Sequence, residues 1–416
     1  MQVDEITQRH AAQWWEEGDA ADWGPAYSAA QQSGHEAKLG QFQERVSAEA
    51  ECPPHTAAEQ AATQERILAA LQPLAQALGI AQPIGLLLHS GMVETAKTFA
   101  RMARRFDPAI SGSDIYQAIR NMWTMNGLQI LLGMPVAVTP SVFAYSLLYP
   151  YSDNYLDDPA VSEGQKVAFN ERFGQRLQGN QVAPAHATER AIFELVGMIE
   201  NQYDRRAQPD VFGSLLAIHR AQERSVRLLR RIAPPYEVDV LGISLEKGGA
   251  SVLADGYLVA GTLTAPQAAF AFGLGAFLQL VDDLQDVEAD RQAGLLTVFS
   301  HAAGRWPLDS LTDRALRFGR RVLAGLERWE GPNVAALREL IHLSTVQLLL
   351  QAAGSASRYH TREYLQSLEP HSPFRFAFLR RQRRKTAGRY PMLMRLLEIF
   401  AQGTEDQGQP SASVVQ

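Results

Sequence analysis

Gln279-Leu280-Val281-Asp282-Asp283-Leu284-Gln285-Asp286 closes a run without charge that begins at Gly256. Read as helix, it puts Asp282, Asp283 and Asp286 on one face, because positions three and four apart are neighbours on a helix surface. Gln279 and Asp290 extend the stripe by one turn each way. Back along the same face stand Ala276, Gly275, Phe272 and Ala268, small residues with one aromatic. The acidic face therefore continues an apolar face that belongs in a protein interior. Acidic pairs one turn apart are common on solvated helix faces, but such a face carries Lys or Arg close by, and none stands between Gly256 and Asp290. Carboxylates at the edge of an apolar wall need partners to offset lost hydration. Stacked carboxylates also repel unless something cationic lies between them. The cation indicated here is a metal.

A second acidic group reads Asp153-Asn154-Tyr155-Leu156-Asp157-Asp158. Asp153 and Asp157 are one helical turn apart, while Asp158 points about 140° away from Asp153 at roughly 100° per residue. Tyr149 precedes Asp153 by one turn and Tyr145 by two. Pro150 should kink this helix or mark its start.

The chain has 416 residues, enough for one large or two ordinary domains. Its net charge of −6 gives no broad basic field, which argues against a nucleic-acid partner. A single cysteine, Cys52, excludes an intrachain disulfide and fits a reducing cytoplasm. The N-terminus lacks the basic start and apolar core of a signal peptide. The uncharged run from Gly256 to Val281 is long enough to raise a transmembrane reading. Thr264-Ala265-Pro266 breaks it, since Thr suits an N-cap and Pro a first helical turn. Two buried helices joined by a short turn account for it better than a membrane span.

Helical periodicity dominates from about Thr63, with no Asn-Gly or Asp-Gly hairpin signal. The pattern predicts helices over roughly 63–79, 92–105, 113–131, 140–158, 163–177, 187–203, 211–232, 245–261, 265–289, 310–329, 334–356 and 374–400. Residues 1–60 read as an N-terminal extension with helical potential, and 402–416 as a disordered tail rich in Gln, Ser and Gly. The fold class is all-α: one bundle over 61–401 with an extension before it.

The Gln279-x-x-Asp282-Asp283-x-x-Asp286 pattern, after a helix rich in Gly, Ala and Phe, resembles the second aspartate-rich motif of the class I trans-isoprenoid (terpenoid) synthases. The Asp153 to Asp158 stretch resembles the first motif, in a D-x-x-x-D-D form closer to squalene and phytoene synthases than to D-D-x-x-D. Tyr257-Leu258-Val259-Ala260-Gly261 is similar to a helix of those head-to-head synthases, and Glu246-Lys247-Gly248-Gly249 to the Lys-bearing helix break of chain-elongating prenyltransferases. The similarity runs in order and spacing over about 85–400, and only the second motif is specific on its own. It implies an all-α bundle around a deep apolar cavity, with both Asp clusters at the mouth binding three Mg²⁺ ions and a linear isoprenyl diphosphate. Homodimers are usual in that family.

On this reading Asp153, Asp157, Asp282, Asp283 and Asp286 are the metal ligands and catalytic residues, with Asp158 and Asp290 as second choices. Arg forks match phosphate oxygens, so Lys247, Arg224, Arg227, Arg358 and Tyr359 are the diphosphate-binding candidates, with Arg389-Tyr390 a rival pair. Tyr149, Tyr145, Phe272, Phe277 and Gln279 are expected to line the cavity, and Tyr149 to limit substrate length. The leading function is a Mg²⁺-dependent terpene synthase that ionises a prenyl diphosphate and closes the cation to a terpene. A prenyltransferase or head-to-head coupling enzyme uses the same ionisation, and a catalytically silent helical scaffold is the reading from another class. A di-iron bundle would need paired Glu-x-x-His motifs, and only Glu339-x-x-His342 is present.

Overall fold

The computed structural model describes residues 3–18, 21–52, 54, 56–229, 238–331 and 334–382. The tail at 402–416, Arg389-Tyr390 and most of the helix expected over 374–400 lie outside the described residues. The chain is all-α. Its first helices are Val3–Trp15 (α1), Ala29–Glu51 (α2), Ala57–Ala77 (α3), Ala81–His89 (α4), Met92–Phe106 (α5) and Gly112–Leu131 (α6). Pro140–Asp157 (α7), Glu163–Leu177 (α8), Ala187–Gln202 (α9), Pro209–Ser225 (α10), Val240–Ala260 (α11) and Ala265–Gln285 (α12) follow. Val287–Ala293 (α13), Val298–Ala302 (α14), Asp309–Ala324 (α15), Val334–Ser355 (α16) and Arg362–Leu368 (α17) come next, and residues 376–382, at the end of the described part, are helical too. One bridge, between Leu229 and Leu295, is the only strand-like pairing among the described residues.

The centre of the bundle is the antiparallel pair α11 and α12. Gly261 turns the chain between them with φ of 73°, a left-handed conformation that a side chain resists. Thr264 then starts α12 by accepting from the backbone of Gln267, with Pro266 in the first turn, where no intrahelical N–H is lost. The two helices touch backbone to backbone at Gly248 and Gly275. A Cβ on Gly275 would lie 2.1 Å from the Gly248 carbonyl oxygen, so any larger residue would prise the pair apart. Around this pair, α10, α6, α7 and α1 pack on α11, and α15 and α16 pack on α12.

Residues 3–52 are helical for most of their length and join this core. Trp14 on α1 is fully buried, and the His10 ring lies 5.2 Å from that of Phe272. From α2, Gln32 donates to the carbonyls of Glu369 and Ser372, and Glu36 pairs with Arg375. No helix among the described residues is long and apolar enough to cross a membrane.

Two local expectations need correcting. The helix expected over 265–289 is broken, because Asp286 leaves the α conformation (φ −101°, ψ 13°) between α12 and α13. Its N–H still bonds the Asp282 carbonyl and its own carbonyl takes the Asp290 N–H, both at 2.9 Å, so Asp290 stays one turn beyond. Phe272 and Phe277 line no opening. Phe272 is closed in by Gly249 and His10, and Phe277 by Gly319 and Thr345. The partly open stripe of α12 is instead Leu274, Leu278 and Asp282, at four-residue steps.

Candidate active site

Three helices each present a polar stripe at four-residue spacing, the interval that keeps side chains on one helix face. On α7 the stripe is Tyr145, Tyr149 and Asp153; on α11 it is Lys247, Ser251 and Asp255; on α12 it is Gln279 and Asp283 beside Asp282. α7 starts from a Thr139 cap with Pro140 in its first turn and runs on through Pro150. The α7 and α11 stripes face each other. The Tyr145 hydroxyl donates to the Ser251 carbonyl at 3.4 Å, and Lys247 lies close enough to Asp153 to favour its charged form.

Lys247 is the meeting point of the two acidic groups. Its ammonium acts on Asp153 from α7 and on Asp282, Asp283 and Asp290 from α12 and α13. Tyr149 stands between the same groups, its phenol facing Asp153 and also feeling the charge of Asp282. The sequence brings both aspartate clusters together although they are far apart along the chain.

The carboxyls hold their protons tightly. Burial, with repulsion from Asp157 opposed by Tyr149 and Lys247, pushes Asp153 up to about 6. Burial pushes Asp283 to about 6 against the Gln279 hydrogen bond, and Asp290 to about 7, helped by Asp283, Asp286 and Asp282. Asp282 is raised by burial and by Asp286. Asp282 and Tyr149 (45% exposed) nonetheless keep much open surface. Both observations hold if the two side chains sit inside the lip of a concave mouth, wetted but ringed by protein.

The donor set fits a hard divalent cation. Asp283 is buried, its Oδ1 accepts from Gln279 Nε2 at 2.8 Å, and its Oδ2 finds no hydrogen bond among the described residues. Asp153, Asp282, Asp283 and Asp290 share the single ammonium of Lys247. Among the described residues no group of three His, Cys, Asp or Glu side chains is gathered tightly enough to chelate a metal alone. Mg²⁺ is usually held by one or two carboxylates plus waters and phosphate oxygens, so a substrate would complete such a site.

These shifts have a sign. Asp153, Asp283 and Asp290 bind protons more tightly folded than in an unfolded chain, where the value is about 3.9. Stability without metal should therefore fall as pH rises from about 4 through 6 to 7, where the folded state gives those protons up. Mg²⁺ competes with the same protons. The rise in melting temperature on adding Mg²⁺ should be larger near about pH 7.5 than near about pH 5.5, and an equal rise at both would place the metal elsewhere.

The other expected residues are distributed unevenly. Asp157 is exposed at the end of α7, and Asp158 caps that helix and accepts from Ala160. Asp286, half-buried, is at the α12–α13 junction. Arg224 does not face the mouth: it is held by Glu246 at 2.7 Å and reaches Asp4 at 3.5 Å, behind α11. Arg227 is exposed, in a segment whose Leu228 carbonyl accepts from Leu296 beyond α13. Arg358 and Tyr359 both bind Glu288, with Arg358 at 2.9 Å. Glu288 and Asp290 are two residues apart on α13 and so point to nearly opposite sides. The Arg358-Tyr359 pair therefore braces the back of the helix that carries Asp290.

Sequence reading missed Arg120, Asn121 and Asp255. Arg120 on α6 is exposed and acts on both Asp282 and Tyr149. Its signal was available, as the one basic residue in a largely apolar helix of 20 residues. Asn121 donates to Asp255 Oδ1 at 3.1 Å. Asp255 stands one residue before the uncharged run and is the only acid between Lys247 and Asp282.

No family model matches the chain, and no curated protein matches it either. Among solved structures, a decaprenyl diphosphate synthase from Rhodobacter capsulatus aligns with 70% of this chain and 98% of its own, at 11% identity. Its TM-score is 0.33, an overlap too loose to bear on either fold or activity.

Proposed function

We propose that this protein is a Mg²⁺-dependent class I terpene synthase, which ionises a linear prenyl diphosphate and cyclises the resulting carbocation. The observation that carries this reading is the convergence of two carboxylate groups, from α7 and from α12–α13, on Lys247 beside the exposed Tyr149 and Asp282. A mouth so rich in carboxylates repels a diphosphate unless cations intervene. Asp153, Asp282, Asp283 and Asp286 would hold the metal, with Asp157 and Asp290 beside them. When bound, Mg²⁺ supplies the positive charge that stabilises the departing diphosphate.

The chain's own cations at the mouth are Lys247 and Arg120, which receive phosphate oxygens and orient the leaving group. Asp283 is fixed by Gln279, so its free oxygen keeps one direction. Below the mouth, Tyr145, Leu274 and Leu278 offer partly open apolar surface for the hydrocarbon tail. Aromatic faces there attract a carbocation by up to about 2 kcal/mol when desolvated. The apolar walls keep water from it.

Incubation with Mg²⁺ and geranyl, farnesyl, geranylgeranyl or geranylfarnesyl diphosphate tests the reading, with pyrophosphate and hexane-soluble products measured together. A cyclic product from one substrate supports it. Product only from two substrates together would mean a prenyltransferase or coupling enzyme, and no pyrophosphate from any would mean a silent scaffold. Tyr149→Ala should move the preferred substrate up by about one five-carbon unit, because the Tyr149 ring occupies the space one helical turn below Asp153, where a longer chain would have to pass. The same assay reads this, and an unchanged chain-length profile would remove Tyr149 from the specificity set.

A further inference from the structure

Three of the helices that frame the site meet in a buried polar knot. Asn121 of α6 donates through Nδ2 to Asp255 Oδ1 of α11 at 3.1 Å and to Ser146 Oγ of α7 at 3.4 Å. Ser146 Oγ in turn donates to Met125 Sδ, one turn along α6, at 3.6 Å. Asp255 and Ser146 are both 0% exposed. Their chain neighbours Leu147 and Ala254, and Met122 beside Asn121, are buried and apolar. Apolar packing is non-directional, whereas a buried set of hydrogen bonds specifies one arrangement. The knot therefore fixes how α6 is rotated against α7 and α11.

Arg120 adjoins Asn121 and lies about 100° round α6 from it. Arg224 and Arg358 are each held by a glutamate. Arg120 forms no ion pair among the described residues, yet it acts on Asp282 and Tyr149. Its direction is set by the rotation of the helix that carries it. We propose that Asp255 is a positioning residue: with Asn121 and Ser146 it locks the rotation of α6 and so aims Arg120 at the departing diphosphate; this rests on the prenyl diphosphate reading above. Asp255 does this as a neutral acid. Burial raises its carboxyl well above the ordinary carboxylate range, no cation acts on it among the described residues, and the Tyr145 phenol of α7 is the titratable group beside it. Oδ1 accepts from Asn121, so the proton sits on Oδ2, which has no hydrogen bond among the described residues. Two apolar side chains would pack here at lower cost. They would give no direction, and direction is what the polar contact supplies.

The test is a cycle of variants read by kcat/KM for diphosphate release. Asp255→Leu with Asn121→Leu removes both partners of the pair and leaves neither of them unpaired. It should lower kcat/KM at least about tenfold on its own and less than about twofold when added to Arg120→Met, because a missing arginine has no direction to lose. Asp255→Asn keeps the neutral contact and should retain kcat/KM within about twofold. Equal losses with and without Arg120, or an Asp255→Asn protein as damaged as the double variant, overturn the inference and leave the prenyl diphosphate reading standing. A wild type that releases no diphosphate overturns both. A second readout needs no substrate, and it decides the matter if the double variant does not fold. Unfolded Asp255 gives up its proton above about 3.9, while the folded group keeps it, so its contribution to stability is present below about pH 4 and is lost as pH rises. The unfolding constant of wild type relative to Asp255→Asn should climb from about pH 5 to about pH 7, by up to about tenfold per unit. The other carboxyls are common to both proteins and cancel in this ratio. A flat ratio means an ionised Asp255 and overturns the neutral lock.

Discussion

Asp282→Ala with Asp283→Ala should lower diphosphate release from the preferred substrate by a factor on the order of 10³. The estimate follows from the charge involved. A metal at a departing diphosphate is worth several kcal/mol of transition-state stabilisation, and about 1.4 kcal/mol is a factor of ten in rate. Asp282 is exposed and the buried Asp283 holds an unpaired oxygen next to it, so removing both leaves that side of the site with Asp286 and Asp290 alone. Stability should move the other way. Both side chains stand in a repulsive group, with burial raising each, so the metal-free melting temperature should hold or rise. The increment that Mg²⁺ adds to the wild type should vanish. A variant that kept its rate, or melted lower without metal and still responded to Mg²⁺, would make the aspartates structural.

Lys247→Met should cost about a hundredfold in the same assay, in line with the loss of one fixed electrostatic contact to a developing negative charge. Its signature separates it from the aspartate pair. Lys247 is the one ammonium acting on Asp153, Asp282, Asp283 and Asp290 together, so its loss leaves them more mutually repelled and the metal-free protein less stable. The four carboxyls should take up protons at higher pH in the variant. Adding Mg²⁺ should then raise the melting temperature by more than in wild type, because the metal replaces a missing cation. An increment no larger than the wild-type value would mean that Lys247 and the metal do not serve the same carboxylates.

Much of this arrangement was legible because caps and prolines mark helix ends strongly. The ranges expected at 92–105, 163–177 and 334–356 differ from α5, α8 and α16 by no more than a residue at either end. The all-α class followed from the same signals. α4 (Ala81–His89) was missed since Ile84, Leu86, Leu87 and Leu88 give an apolar run without a polar face to set its period. The face of α12 was legible only at its acidic end. Above that end the helix is apolar nearly all round, so periodicity cannot tell the sides closed by α11 and α1, or by α15 and α16, from the side that stays open. Phe272 and Phe277 were assigned to the wrong side for that reason. The cationic residues were harder still. Whether an arginine is free or already held depends on partners distant in sequence, as Glu246 holds Arg224 and Glu288 holds Arg358. Asp255 is a lone acid in an apolar helix, without a second carboxylate one turn away to mark it.

The contact between Gly248 and Gly275 adjoins Lys247 on one helix and lies one turn above Gln279 on the other. With main chain against main chain there is no side chain whose rotation could let α11 and α12 slide. The distance between the ammonium of Lys247 and the carboxylates of α12 is thus gauged by peptide atoms, like a ruler fixed at its zero mark. Charging or emptying the mouth cannot be answered by separating these two helices. If the proposed reaction takes place here, any widening that admits substrate or frees product comes from the other jaw, at the open end of α7 or at the Asp286 joint that carries α13.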